Sequence, residues 1–318
     1  MSVIYEGGRF FVVTPVYEDV PAATRLFSDL KTIYGDSVYV VAVDDGSVKL
    51  PMSADVLKKT GVAGRVVFLK RNVGHQRALA IGLHIASEMA KDDEKIVLMD
   101  SDGEDRPESI AELLALLDSA TDVVVATRKS RIESMKFKLF YRCYKVVFSL
   151  LTGRKIAFGN FMAMTRFAAK RLAAMQELAI HVAASVLASR LRIHCEPIDR
   201  GARYAGRSKM NFVGLVLHGF KGLMVFAEDV LVRTGILSGM IAAVALAGGV
   251  LAGLMKLMGF ASQGWLSLVL GLGGVMLIQT GALILMMLML TGIIRSGTVT
   301  TAIDYDAFID HVDVAEGS

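Results

Sequence analysis

Four carboxylates fall within six residues at Asp100, Asp102, Glu104 and Asp105. They follow an apolar run, Ile96-Val97-Leu98, and precede a helical pattern from Ile110 to Leu117. Carboxylates this close repel one another unless a cation or hydrogen bonds compensate. Asp-x-Asp at a strand end aims two hard oxygen ligands at one divalent ion. Mg2+ or Mn2+ suits such a pair, with substrate phosphates completing the shell. The same residues also read as a solvated acidic loop leading into the helix at Pro107. A second charged stretch, Asp199 to Lys209, carries Arg200, Arg203, Arg207 and Lys209 spaced by small residues. Such a loop closes on phosphate, arginine by its fork and lysine as a point charge. A solvated basic turn is the other reading.

These residues need elements to hold them. Short continuous apolar runs at 10–13, 38–43, 65–69, 96–99 and 122–126 look like buried parallel strands. Helical spacing fills the gaps, at 22–34 (Ala23, Leu26, Phe27, Leu30, Ile33) and up to about Met89. Pro15 is expected to stop the first ladder. Strand–helix alternation five times over predicts an α/β, mostly parallel sheet with helices on both faces. Ligands of such sheets bind at the carboxyl ends of strands. Tyr17, Asp44, Asn72, Asp100, Asp102 and Arg128 all follow strands and so fall on one edge. That convergence favours the functional reading of the acidic cluster. No G-x-x-x-x-G-K-[ST] loop is present, and no G-x-G-x-x-G opens the first helix. Further on, a strand over 158–164, helices near 166–176 and 180–190, and a strand near 192–199 are expected.

The chain of 318 residues is 53% apolar, too oily for an ordinary soluble enzyme. Its net charge of +4 gives no reason to expect a nucleic-acid partner. Cys143 and Cys195 lack metal-ligand spacing and read as reduced. Met1 to Arg9 lacks the pattern of a signal peptide. Residues 131–155 set seven basic side chains, among them Arg131, Arg142 and Lys145, against the single acid Glu133. Interleaved aromatics make this stretch a candidate for an anionic membrane surface, a helix packed on the sheet domain being the alternative. Asn211 to Arg233 is a second amphipathic stretch. Gly235–Met255 and Trp265–Ile294 carry no charge, and at about 1.5 Å per residue each spans a bilayer. Small residues at Gly235, Gly239, Gly249 and Gly253 permit close helix contact and self-association into a homo-oligomer. The expected divisions are a sheet domain over 1–210, juxtamembrane helices over 211–233, two transmembrane helices over 234–295 and an uninformative tail over 296–318. The long basic N-terminal part is expected to stay cytoplasmic, with both termini inside.

Taken together, the motifs resemble the polyprenyl-phosphate glycosyltransferases, the dolichyl-phosphate mannosyltransferase-like branch of glycosyltransferase family 2. The family pattern P-x-Y-N-E stands here as Pro15-Val16-Tyr17-Glu18-Asp19. V-D-D-G-S is intact at Val43–Ser47, and N-x-G-x-x-x-A-x-x-x-G at Asn72, Gly74, Ala78 and Gly82. D-A-D-L-Q-D-P-P-E stands as Asp100-Ser101-Asp102-Gly103-Glu104-Asp105-Arg106-Pro107-Glu108. Arg128 matches the arginine after the fifth strand, and Arg203, Gly206, Ser208 and Lys209 match R-x-x-G-x-S-K. The match covers about residues 9–230.

The resemblance implies a GT-A, Rossmann-like sheet domain, a UDP- or GDP-linked sugar donor, Mg2+ or Mn2+, and a polyprenyl-phosphate acceptor in a bacterial-type inner membrane. It puts Pro15, Tyr17, Asp19, Val43, Asp44, Asp45, Ser101 and Glu104 on the donor and Asp100 and Asp102 at the metal. Arg128, Arg203 and Lys209 fall to phosphates of donor or acceptor, and Arg200 and Ser208 to the acceptor phosphate. Three positions depart from the family pattern. Glu18 stands for asparagine, Glu104 for glutamine, and Phe158-Gly159-Asn160-Phe161 for an aspartate-rich segment, which suggests a different sugar. His75 is either donor-contacting or structural. The expected reaction is a single inverting displacement by the lipid phosphate. A processive polysaccharide synthase would carry Q-x-x-R-W and more membrane helices, and neither is found. A non-catalytic scaffold or flippase partner is the remaining alternative, opposed by the intact Asp100/Asp102 pair.

Overall fold

The computed structural model describes residues 8–128, 135–204, 212–260, 264–298 and 303–316. In chain order the elements are β1 (Phe10–Val16), α1 (Val20–Tyr34), β2 (Val38–Asp44), α2 (Ala54–Thr60), β3 (Gly64–Leu69) and α3 (His75–Met89). Then come β4 (Lys95–Leu98), α4 (Ile110–Ala115), β5 (Val123–Arg128), α5 (Met135–Thr152), β6 (Phe158–Thr165), α6 (Arg166–Ala173), α7 (Val182–Ala188) and β7 (Ile193–Ile198). The rest is helical, α8 (Phe212–Met224), α9 (Ala227–Leu257) and α10 (Trp265–Thr298), until β8 (Ile309–Ala315).

The strands form one mixed sheet in the order β7-β5-β6-β4-β1-β2-β3-β8. β1 pairs in parallel with β2 and β4, β2 with β3, and β5 with β7. Only β6 and β8 run against their neighbours. Among the described residues, six of the eight strands therefore point the same way, as the alternating pattern requires. Every residue of β1 and β2 is buried, which is why both read as unbroken apolar runs. Phe10 and Val12 pack with Leu26, Phe27 and Leu30 of α1, while Phe11 and Val13 pack with Leu79 and Leu83 of α3. A Cβ on Gly82 would lie 2.5 Å from Val13 Cγ1 and 2.8 Å from Val43 Cγ2, so the glycine lets α3 settle onto the sheet.

Three sequence expectations change. β1 does not stop before Pro15 but runs on to Val16. The Met99 N–H donates to Val13 O, so Val13, and by the strand's alternation Pro15, faces the β4 side. β4 has ended by then, and Pro15 forfeits no ladder bond there. A short helix, α2, was not expected. Ser53 caps its start by accepting the Asp55 N–H, and Gly61 ends it in the left-handed region. The tail, which seemed uninformative, supplies β8, antiparallel to β3 from Leu69↔Ile309 to Gly64↔Ala315. Tyr305 anchors it, 3% exposed, with its hydroxyl on Ala173 O and its ring against His84.

The chain divides into two compact units. The first comprises 1–145, 155–225 and 302–318, and the second 146–154 and 226–301. The tail thus belongs with the sheet, and so does α8. Among the described residues of the second unit, two helices are long and apolar enough to cross a membrane, Ala227–Leu257 and, within α10, Ser267–Leu290. Arg233 donates to Leu150 O near the end of α5, where a cation also suits the helix dipole. Of the four glycines expected at the helix contact, only Gly249 meets the other helix, at Leu270. A Cβ on Gly235, Gly239 or Gly253 would find nothing within 4 Å.

Candidate active site

The carboxyl ends of β1, β2, β3, β4, β5 and β7 share one edge, and the expected residues gather there. β6 runs the other way, so its first residues, Phe158 to Asn160, reach the same edge.

The β1 and β2 ends are tied by carboxylates that accept backbone N–H groups. Asp44, 1% exposed, accepts from Ser47 at 2.8 Å and Met52 at 2.7 Å. Asp45, 3% exposed, accepts from Val73 at 2.7 Å and Gly74 at 3.0 Å. Burial pushes the Asp45 carboxyl up, and these two bonds oppose it. Gly46 is obligatory: its φ is +67° and a Cβ would lie 2.4 Å from Arg71 C. Glu18, at φ +50°, accepts from Val48, Lys49 and Leu50, and its own N–H donates to Ser47 Oγ. The Lys49 and Val48 N–H groups hold its carboxyl below the usual range. The departure at position 18 is therefore a latch for the 47–50 loop. Val43 is wholly buried, and the Ser101 hydroxyl donates to Pro15 O. Tyr17 is 46% exposed on the edge, and Asp19 takes the N-cap position of α1 without a side-chain capping bond.

The acidic loop is covered by the segment after β7. Gly201 N–H donates to Glu104 O and Tyr204 N–H to Asp102 O, both at 2.9 Å. Arg203 Nη2 lies 2.6 Å from Asp102 Oδ2 and its Nε 3.3 Å from Glu104 Oε1. Arg200 pairs with the other Glu104 oxygen. The Tyr204 ring lies over Gly103 (φ +87°), under the Arg25 guanidinium, and its hydroxyl donates to Asp29. Glu104, the acid in place of an amide, is thus the internal counter-charge of both arginines.

Burial and the Asp100 charge push the Asp102 carboxyl up, with Arg203 and Arg200 opposing. Burial also acts to raise Asp100, but His75, Arg200 and Arg203 outweigh it and the net direction is down. Asp100 Oδ1 is buried and accepts no hydrogen bond among the described residues as long as His75 Nε2, 3.2 Å away, carries no proton. That orphaned hard oxygen, beside Asp102, fits a divalent cation. Among the described residues no third His, Cys, Asp or Glu joins them in a metal-sized cluster. The remaining ligands would therefore be phosphate and water, as is usual for Mg2+.

His75, Gln76 and Asn160 complete the site, and only His75 stood out in the sequence. His75 Nε2 is 3.2 Å from Asp100 Oδ1 and 3.0 Å from Asn160 Nδ2. Gln76 Nε2 reaches Asn160 Oδ1 at 3.4 Å, and Gln76 Oε1 accepts the Val182 N–H at 2.7 Å. Burial opposes a charge on His75, but Asp100 and Asp105 prevail and raise its pKa. The main signal for this trio was the polar pair His75-Gln76 opening a helix after Asn72-Val73-Gly74. Arg128 ends β5 on the same edge, but its side chain, like Ser208 and Lys209, lies outside the described residues.

Beside Val182, His181 caps α7 by accepting the Ala184 N–H, and its ring lies 4.4 Å from that of His218 on α8. Burial, then His218 and Lys221, push the His181 pKa down to about 3. The fold therefore holds this ring neutral while an unfolded chain protonates it below about 6.5. Its contribution is complete above that pH and declines as pH falls toward 3, by about 1.4 kcal/mol per pH unit. His218 is shifted in the same direction. His181→Asn, which keeps a capping side chain, should flatten this acid slope in pulse-proteolysis measurements of stability between about pH 6.5 and 5. An unchanged slope would mean that His181 is already protonated in the fold.

With this geometry in place, residues 11–178 match the sequence model of "Glycosyl transferase family 2". The chain belongs to that family, and its sheet unit carries a glycosyltransferase domain. It is 30% identical over 161 residues to an undecaprenyl-phosphate 4-deoxy-4-formamido-L-arabinose transferase of Enterobacter sp. (strain 638), covering 49% of this chain and 47% of that one. The corresponding Salmonella paratyphi B transferase is 26% identical over 218 residues, 64% of this chain and 63% of that one. The chain thus spans about half to two thirds of these relatives. An uncharacterized glycosyltransferase of Bacillus subtilis, YkoT, is 24% identical over 85% of this chain and 78% of its own length. Among solved structures, a mannosyltransferase of Pyrobaculum calidifontis in complex with GDP-Man and Mn2+ aligns at a TM-score of 0.46 and 16% identity, over 90% of this chain and 89% of that one.

Proposed function

We propose that this glycosyltransferase moves a sugar from a nucleotide-sugar donor to the phosphate of a polyprenyl phosphate, with inversion, at the cytoplasmic face of a bacterial-type inner membrane. The observation that carries the reading is the orphaned Asp100 Oδ1 beside Asp102, under two arginines, in a chain with two membrane-length apolar helices. A lipid phosphate is already largely ionised at neutral pH, so the attacking oxygen needs little help from a base. It forms a bond to the anomeric carbon as the bond from that carbon to the diphosphate breaks. What the site must supply is stabilisation of charge on the departing diphosphate. Asp100 and Asp102 would hold Mg2+ or Mn2+, whose chemistry when bound is Lewis-acid neutralisation of that charge. Arg200 and Arg203 take the diphosphate by exchanging Glu104 and Asp102 for it, and Arg128, Ser208 and Lys209 serve the acceptor side. The 47–50 loop, with Tyr17 and Asp19, forms the nucleoside end.

The relatives named for undecaprenyl-phosphate transfer support the acceptor class. The topology draws support from β8: the chain leaves the sheet unit before α9 and rejoins it after α10, which favours both flanks of the hairpin on one side. The open faces at Gly235, Gly239 and Gly253 suit contact with a second copy. The test is the full chain in lipid nanodiscs with undecaprenyl phosphate and a panel of radiolabelled UDP- and GDP-sugars. Label should enter the lipid fraction with one donor, stop with EDTA and return with Mn2+ or Mg2+. No lipid-borne label with any donor would overturn the reading.

A further inference from the structure

The polarity of one hydrogen-bond chain bears on the acidic site. The Val182 N–H can only donate, so Gln76 must turn its Oε1 toward it, at 2.7 Å. The Gln76 amide nitrogen then faces Asn160 Oδ1 at 3.4 Å. Asn160 in turn presents Nδ2 to His75 Nε2, at 3.0 Å. An amide NH2 donates and does not accept, so Nε2 must accept, and the neutral ring carries its proton on Nδ1. While the ring is neutral, Asp100 Oδ1, 3.2 Å from the same Nε2, gains no proton from it. This accounts for the orphaned oxygen.

We infer that Gln76 and Asn160 are positioning residues that hold His75 as its Nδ1–H tautomer and so keep Asp100 Oδ1 open to a divalent cation. The inference rests on the reading of Asp100 and Asp102 as the metal-facing pair. Were the proton on Nε2, the imidazole would donate to Asp100 and compete with the cation for the same lone pairs. The chain runs from a peptide N–H at the start of α7 through the first turn of α3 to the start of β6. Its direction is set by a backbone group that cannot reverse.

Gln76→Glu tests the relay. Glutamate still accepts from Val182 but cannot donate to Asn160, so the Asn160 amide reverses and its oxygen faces Nε2, which must then carry the proton. The full chain, 15N-labelled at histidine in detergent micelles, reports the tautomer by nitrogen shift at a pH high enough that the His75 shifts no longer change with pH, so that the ring is neutral although Asp100 and Asp105 raise its pKa. A His75→Gln spectrum identifies the signals. Wild type should show Nδ1–H and Gln76→Glu should show Nε2–H. Mn2+ affinity, measured by electron paramagnetic resonance, should fall about 10-fold or more in the variant. Because Gln76 is buried, Asn160→Ala is the companion variant, expected to gain Nε2–H and lose Mn2+ affinity in the same way. An Nε2–H wild type, or a tautomer that neither variant changes, overturns the relay even if sugar transfer is found. A changed tautomer with unchanged Mn2+ affinity overturns its link to Asp100. A wild-type chain that binds no Mn2+ overturns that link together with the metal reading beneath it.

Discussion

Asp102→Asn should lower sugar transfer to lipid by about a thousandfold or more, about 4 kcal/mol of transition-state stabilisation. The side chain keeps its size, and Oδ1 can still accept the Glu104 N–H as it does at 3.0 Å. What changes is the oxygen now 2.6 Å from Arg203. An amide nitrogen there is a donor facing a donor, and it offers nothing to a metal. The fold should survive, because burial and the Asp100 charge already push the Asp102 carboxyl up and make a neutral group tolerable. The check is initial rate in the nanodisc assay beside a thermal melt of the same preparation. Turnover within tenfold of wild type, with the melt unchanged, would remove Asp102 from the charge-stabilising centre.

Ending the chain at residue 302 should cost several kcal/mol of stability. The loss includes the β8 ladder with β3 and the buried Tyr305 and Ala315. It also includes the Arg77 guanidinium over Phe308 and the Lys70 N–H on Phe308 O. Tyr305→Ala alone should cost about 3–5 kcal/mol, the range for deleting a buried large aromatic side chain. Tyr305→Phe, which loses only the hydroxyl bond to Ala173 O, should cost about 1 kcal/mol. Truncation also bares the edge of β3, a template for pairing with other chains, so aggregation should accompany the lower melting temperature. A truncated chain that melts with the full one would show that β8 adds nothing to the sheet.

The convergence of residues at the strand ends was legible for a definite reason. In a parallel sheet fed by helices the carboxyl ends must share an edge, so Tyr17, Asp44, Asn72, Asp100 and Arg128 converge once the strands are recognised. Apolar runs buried on both faces are the strongest signal such strands give, and β1 and β2 are of that kind. The two membrane-length helices were legible from length and hydropathy alone. β8 was not, because an exposed edge strand alternates with charge and has no apolar run to reveal it; its exposed residues include Asp310, His311 and Asp313.

By itself, then, the sequence determined the alternation of strand and helix, the acidic and cationic stretches and the apolar hairpin, since each is a property of neighbours along the chain. The tertiary structure alone decided which charges meet. Glu104 answers Arg200 and Arg203 because the segment after β7 lies back across the acidic loop. Asn160 reaches His75 because β6 runs antiparallel, and strand direction is a matter of pairing that no local pattern records. The orphaned oxygen of Asp100 follows from that meeting, through a hydrogen-bond direction set by a peptide N–H more than eighty residues away in sequence.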